Sequence, residues 1–326
     1  MGKIMLKIKI LRPIDNLCDY TFNFCWNDSK LKPQDVIPSQ EGTSFTHANL
    51  VAELKGGGDV HIGGNVGKRL AYSMGTDLKH LGGTGETQKA GNIFIDGDVG
   101  SEAGMGMAAG CLYIKGNIAE PLGNILEVTS DINGYRKFLS ITDILFNGLG
   151  NDVLKGNSLA ENTLTLNDGI LRGTIGARCN WQGTIIVEGD VYNGTGVLMQ
   201  RGTIKINGNA GMNTGSHLNG GTIVVHGNVG EFSGAYMKNG KLLFTSANGY
   251  VGAGMTGGNI YSKKKANTSP PAAKMRLEKE DIEFIHKNMQ TSRVESMLYN
   301  KYGPEEEKEK FEEVRMRDGS IVMRKI

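Results

Sequence analysis

Side chains able to act as nucleophiles, metal ligands or proton carriers are sparse in this 326-residue chain. The four cysteines are Cys18, Cys25, Cys111 and Cys179. No two stand at C-x-x-C spacing, so neither a zinc site nor a redox pair nor an iron–sulfur ligand set is indicated. Cys179 sits beside Asn180 and Trp181, with no base near it in sequence, and is read as a packed thiol. The six histidines (His47, His61, His80, His217, His226 and His286) are scattered. His61 and His226 are expected on outward strand positions several coils apart, too far to share a metal. Gly252, Gly254 and Gly257 satisfy G-x-G-x-x-G, but a dinucleotide fingerprint needs a strand before it and a helix after it. Here a strand-like run over 259–261 follows instead. P-loop, H-E-x-x-H and G-x-S-x-G patterns are absent. No catalytic, cofactor-binding or metal residue is therefore assigned.

The elements that would position any of these side chains follow from composition and period. Lys and Arg number 36 against 34 Asp and Glu, a formal charge of +2. This balance suggests neither nucleic acid nor an anionic membrane as partner. No apolar run is long enough to span a bilayer, and the charged N-terminus does not read as a signal peptide, so a cytoplasmic location is expected. Glycine is abundant at 48 residues and proline scarce at 7. Without a G-X-Y period, that bias points to a repeat fold with many tight turns.

The repeat is clearest from Gly183, with further starts at Gly202, Gly221 and Gly240, each 19 residues on. The same frame runs upstream from Gly91 and Gly110. Ile185, Ile204, Ile223 and Leu242 share one column; Val187, Ile206, Val225 and Phe244 share another two residues later. Apolar residues two apart face one side of a strand. Each strand ends in glycine plus a short polar residue: Gly97-Asp98, Gly116-Asn117, Gly189-Asp190, Gly208-Asn209 and Gly227-Asn228. These are read as corners, with positive φ at the glycine. A methionine column (Met107, Met199, Met237, Met255, with Leu218 in one turn) is read as gap-filling core. Nineteen residues are too few for a strand–helix–strand unit, which needs about thirty. They suffice for one coil of a right-handed parallel β-helix, all-β apart from a short helical C-terminal tail.

The outward column between the two buried ones holds Phe94, Tyr113, Ile186, Val224 and Leu243, interrupted by His61, Thr165 and Lys205. Stacking would align them into an apolar ladder, and monomers seldom leave such a strip exposed. This ladder is the candidate interface, covered either by the chain's own insert and terminal helices or by a partner. A homo-oligomer is one form such a partner could take.

Along the chain, residues 1–46 are expected to cap the coils, which occupy 47–262 and carry an insertion at 124–162. Residues 76–90 lengthen one coil as a loop. A linker is expected over 263–276, then a helical, charged tail over 277–326. In that tail Ile282, Ile285 and Met289 stand at helical spacing, and Ser292 with Glu295 forms a capping box.

The motif G-[TN]-I-x-[VI]-x-G-[DN]-x-G-x-x-x-G-x-x-M resembles the repeat domain of two groups. One is the C-type subunit of formylmethanofuran dehydrogenase, to which GDVGSEAGMGMAAGCLYIKGN and GTIKINGNAGMNTGSHLNG are most similar. The other is the C-terminal β-helix domain of the glutamate synthase large subunit, which GAGMTGGNIY and the tail after it resemble. The likeness covers about two-thirds of the chain. It implies a non-catalytic scaffold subunit of an archaeal oxidoreductase complex that links carbon dioxide and methanofuran to formylmethanofuran. Pterin, iron–sulfur and amidohydrolase metal sites would lie on other subunits, so no cofactor is expected on this chain. The alternative is a free-standing glutamate synthase domain partnered by glutaminase and flavin chains. An independent hydrolase is the third reading.

Overall fold

The structure, a computed structural model, describes residues 5–22, 31–305, 311–315 and 321–325. The elements in chain order are β1 (Met5–Ile10), β2 (Gln40–Glu41), α1 (His47–Lys55), β3 (Asp59–Gly63), β4 (Asn92–Ile95), β5 (Cys111–Ile114), β6 (Ile125–Val128), β7 (Arg136–Ser140), α2 (Ile141–Asn147) and β8 (Asn157–Ala160). Then come β9 (Thr163–Leu166), β10 (Asn180–Val187), β11 (Arg201–Ile206), β12 (Asn219–Val225), β13 (Asn228–Val229), β14 (Asn239–Phe244), β15 (Ser246–Ala247), β16 (Asn259–Ser262), β17 (Ala272–Met275), α3 (Lys279–Met289), α4 (Arg293–Ser296), β18 (Asn300–Pro304), β19 (Phe311–Arg315) and β20 (Ile321–Lys325).

The repeat folds as a β-solenoid in two stacks of parallel rungs. The first runs β1, β3, β4, β5 and the second β9, β10, β11, β12, β14, β16. Register follows the columns: Leu164, Ile185, Ile204, Ile223, Leu242 and Ile260 lie in line. All six are buried, as are Met107, Met199, Leu218, Met237 and Met255 of the methionine column. A one-residue slip would turn each column to solvent, so the period-two pattern holds the register.

The corners are built differently from the expectation of positive φ. Among the five strand-end glycines only Gly189 has it, at +133°. Gly208 is required by close approach instead: a Cβ there would lie 2.5 Å from the backbone of Gly189 in the preceding coil. Gly97, Gly116 and Gly227 meet the preceding coil in the same way. The polar residue after each glycine links coils. Asp98 Oδ1 accepts from Asn117 N at 2.7 Å, Asp190 Oδ1 from Asn209 N at 2.7 Å, and Asn209 Oδ1 from Asn228 N at 2.9 Å.

Three boundaries move. Residues 5–22 are a coil rather than a cap: β1 pairs in parallel with β3, and Asn16 and Tyr20 N–H donate to Lys68 and Tyr72. The long connection before β3 hides this coil from the 19-residue frame. Residues 263–269 are no free linker, since Lys264 and Ser269 N–H donate to Thr245 and Val251 of the coil before. The charged tail is helical only through α4. β18 then pairs antiparallel with β16, and β19 pairs with β20. Val314, Ile321 and Val322 favour strand in that stretch, a preference that charge alone does not reveal.

The insertion separates the stacks and joins them. β7 closes the first antiparallel to β5, and β8 closes the second antiparallel to β9. Buried Asn124 splices the two: its Nδ2 donates to Met107 O and Thr142 Oγ1, and its Oδ1 accepts from Gly176 N. Ser140 and Thr142 hydroxyls donate to Met107 O and Ala177 O. Arg172, 2 % exposed, reaches Asp168 through both terminal nitrogens and donates to Ile125 O.

Candidate functional site

Strand register lines up the outward ladder within each of the two stacks. Lys7, His61, Phe94, Tyr113 and Lys137 align on the first stack. Thr165, Ile186, Lys205, Val224, Leu243 and Tyr261 align on the second. The rungs alternate inward and outward side chains, so the same alternation that builds the core presents this face.

The two ends are covered by different chemistry. Over the second stack lies α3, whose Ile285 packs on Val224, Leu243 and Tyr261, all fully buried. Val224 and Leu243, named as candidate interface residues, are thus occupied by the chain's own helix. α3 is also fixed by a buried polar group. Tyr261 OH donates to Asp281 Oδ1 at 2.7 Å, and Lys301 Nζ lies 2.7 Å from Asp281 Oδ2. Burial works against the Asp281 carboxylate. Lys301, the Glu278 N–H and the Tyr261 hydroxyl outweigh it and hold the group below the usual aspartate range. His226 sits between Asn207 Oδ1 at 2.9 Å and the Asn288 carbonyl at 3.2 Å, tying α3 to the rungs.

Over the first stack the cover is aromatic and charged. Phe94 stacks on Tyr113 at 4.7 Å, and Tyr135 of the insertion stands edge-on to both rings. Tyr113 OH donates to Asp131 and Tyr135 OH to Asp96. His61 Nε2 lies 2.9 Å from Asp96 Oδ2 without hydrogen-bond alignment, and Lys115 Nζ lies 2.6 Å from Asp96 Oδ1. Lys137 is held by Asp152 and Asp131 at 2.9 and 3.2 Å. The middle of the ladder, at Thr165, Ile186 and Lys205, stays half-buried.

Other sequence candidates disperse. Cys179 takes the methionine column of its coil and is buried, and burial pushes its thiol up. Burial likewise pushes the Cys111 thiol up to about 12, and Cys18 is raised for the same reason. Cys25 lies outside the described residues. Gly252 and Gly254 shape a solenoid turn that leads into β16 and not a helix. His61 and His226 lie on different stacks. Among the described residues no three His, Cys, Asp or Glu converge as metal ligands would. No helix among them is long and apolar enough to cross a membrane.

One cleft has no counterpart in the sequence pattern. Where the stacks part, loop 85–89, α2 and the turn at 178–181 enclose about 420 Å³. Asp143 and Phe146 of α2 face it, as do Arg178 and Trp181. Burial raises the Asp143 carboxyl against a single stabilising contact, Asn147 Nδ2 at 2.7 Å. These residues come from segments far apart in the chain, and none belongs to a recognisable motif.

The fold defines the chain as a glycine-cornered parallel β-solenoid. No family model matches it. An uncharacterized protein of Methanothermobacter thermautotrophicus is 41% identical over 191 residues, 58% of this chain and 61% of the relative. The match therefore spans less than two thirds of that relative's length. Among solved structures, the chain is similar to one chain of the formyltransferase/hydrolase complex (FhcABCD) from Methylorubrum extorquens, determined in complex with methylofuran. The TM-score is 0.28 at 16% identity, covering 89% of this chain and 91% of that one.

Proposed function

We propose that this chain is a non-catalytic scaffold subunit of a formylmethanofuran dehydrogenase-type complex. The carrying observation is the glycine-cornered repeat, which resembles that of the C-type subunit and recurs in frame from Gly91 and from Gly183. Its physical consequence supports the role. Stacked rungs with shared columns make a stiff body, and a stiff body can hold separately folded active sites in fixed relation. The three described cysteines are buried, and a buried protonated thiol is a poor nucleophile. The partners would be the pterin-bearing and amidohydrolase subunits, which would carry the cofactors.

The test is purification of the tagged chain from its native host under anaerobic conditions, with mass spectrometry of what accompanies it. Stoichiometric recovery of pterin-enzyme and amidohydrolase subunits is the expected result. Recovery of glutaminase or flavin-synthase chains would transfer the scaffold role to a glutamate synthase. The chain recovered alone would overturn both assignments.

A further inference from the structure

The last helical turn before β18 packs with its apolar side outward. α4 continues through Met297 and Leu298, whose N–H groups donate to Arg293 O and Glu295 O. Ser296 is fully buried, its Oγ donating to Ser292 O, and Tyr299 joins the buried cluster of Val224, Leu243 and Ile285. Val294, Met297 and Leu298 stand at i, i+3 and i+4, which share one face of a helical turn. That face points to solvent, with the three residues 72%, 61% and 72% exposed. Arg293 Nε donates to Glu283 Oε1 of α3 at 2.6 Å, which fixes the turn in this orientation. An amphipathic helix ordinarily buries its apolar face, so this ridge is inverted.

Beside the ridge, the final coil leaves its strand on three consecutive lysines. Ser262 of β16 pairs with Asn300, two residues after Leu298, and Lys263, Lys264 and Lys265 follow it, all exposed. Corners of the earlier coils use glycine with Asp or Asn, so the repeat does not call for lysine here. Lys263 reaches α4 electrostatically. The Glu295 carboxyl is held below the usual range by the Thr291 hydroxyl first, then by Ser292, and also by Lys263. Glu295 is itself engaged in the helix cap, and among the described residues no carboxylate pairs with the three lysines. The total charge of +2 averages over this local excess. Projecting aliphatic side chains flanked by cations suit a surface that yields to the first and attracts the second. A protein partner would instead need a groove matched to the ridge. We propose that this end of the solenoid docks on an anionic lipid surface, with Val294, Met297 and Leu298 entering the headgroup region and Lys263, Lys264 and Lys265 against the anionic headgroups. The inference rests on this surface alone and is independent of the scaffold reading.

The experiment is co-sedimentation of the full chain with vesicles of phosphatidylcholine alone and of phosphatidylcholine with about 30% phosphatidylglycerol. Partition onto the anionic vesicles should exceed that onto the neutral ones by about tenfold or more and fall as salt is raised. Replacing the lysines together (K263Q, K264Q and K265Q) should abolish the difference between the two vesicles. Met297→Ser with Leu298→Ser should weaken partition onto the anionic vesicles by about tenfold. The melting temperature should not change, because both side chains already lie in water. No sedimentation of the unaltered chain with the anionic vesicles would overturn the proposal and leave the ridge to a protein partner. Equal partition onto the two vesicles would sink it as well. Undiminished binding by the lysine variant would remove the lipid contact from this end of the solenoid.

Discussion

The two stacks present the same outward column and dispose of it in opposite ways. The second stack repeats almost without variation, and a single amphipathic helix closes over Val224, Leu243 and Tyr261. The first stack carries long connections between its coils, and its column is covered by a network of Tyr135, Asp96, Asp131, Lys115 and Lys137 around the Phe94–Tyr113 stack. A regular coil leaves no room for such a network, because each rung is a copy of the last. Interruptions of the repeat supply the varied chemistry: the splice at Asn124, the polar cover and the cleft beside α2 all depend on the insertion. The regular stack is therefore the rod, and the interrupted one is where individuality resides.

The splice offers the most severe way to break this contrast. Asn124→Ala would leave Gly176 N–H and Met107 O with a bond removed in a buried site, at a cost of about 3 kcal/mol or more. Denaturant unfolding should then show the stacks melting in separate steps; one unaltered cooperative transition would mean that other contacts join them. Gly208→Ala attacks the rod itself. Its Cβ would press on the Gly189 backbone, and about 2–3 kcal/mol should be lost, read as a lowered melting temperature.

Asp281 sharpens the comparison from the helical side. Because its folded carboxyl is held below the ordinary range, its contribution is fully present above the unfolded value of about 4. It is lost as pH falls through the lower folded value. Hydrogen exchange in α3 should therefore accelerate selectively in acid, and Asp281→Asn should weaken α3 docking by about 2 kcal/mol at neutral pH and flatten that acid response. Acid-insensitive exchange in α3 of the unaltered chain would assign the docking to apolar contact alone. The smallest effect is expected at Phe94→Leu, about 1 kcal/mol, since the half-buried ring loses stacking on Tyr113 while keeping part of its burial. A loss as large as that at Gly208 would mean the aromatic cover is as essential as the rod.

Much of the rod was legible from residues alone. The Ile, Val and Leu columns, the methionine column and the corner glycines recur at one spacing, and a periodic pattern can be read without knowing what it touches. The ladder was readable for the same reason, because alternation along a strand assigns each side chain to a face. Its cover was not. Ile285 stands at helical spacing in the tail, yet nothing local states that it lands on Val224 and Leu243. The corner glycines were found for an incomplete reason, since the crowding that excludes a Cβ comes from the coil before and not from the glycine's own φ.

The sequence by itself determined the repeat, the register and the buried columns, because these depend on contacts between copies of one local pattern. Tertiary structure decided what lies on that pattern: the first coil hidden by its long connection, the helix over the second stack, the splice at Asn124 and the cleft holding Asp143. Each of these brings together segments with no common period. Their meeting is decided by which surfaces can be buried against each other and which polar groups must then find partners.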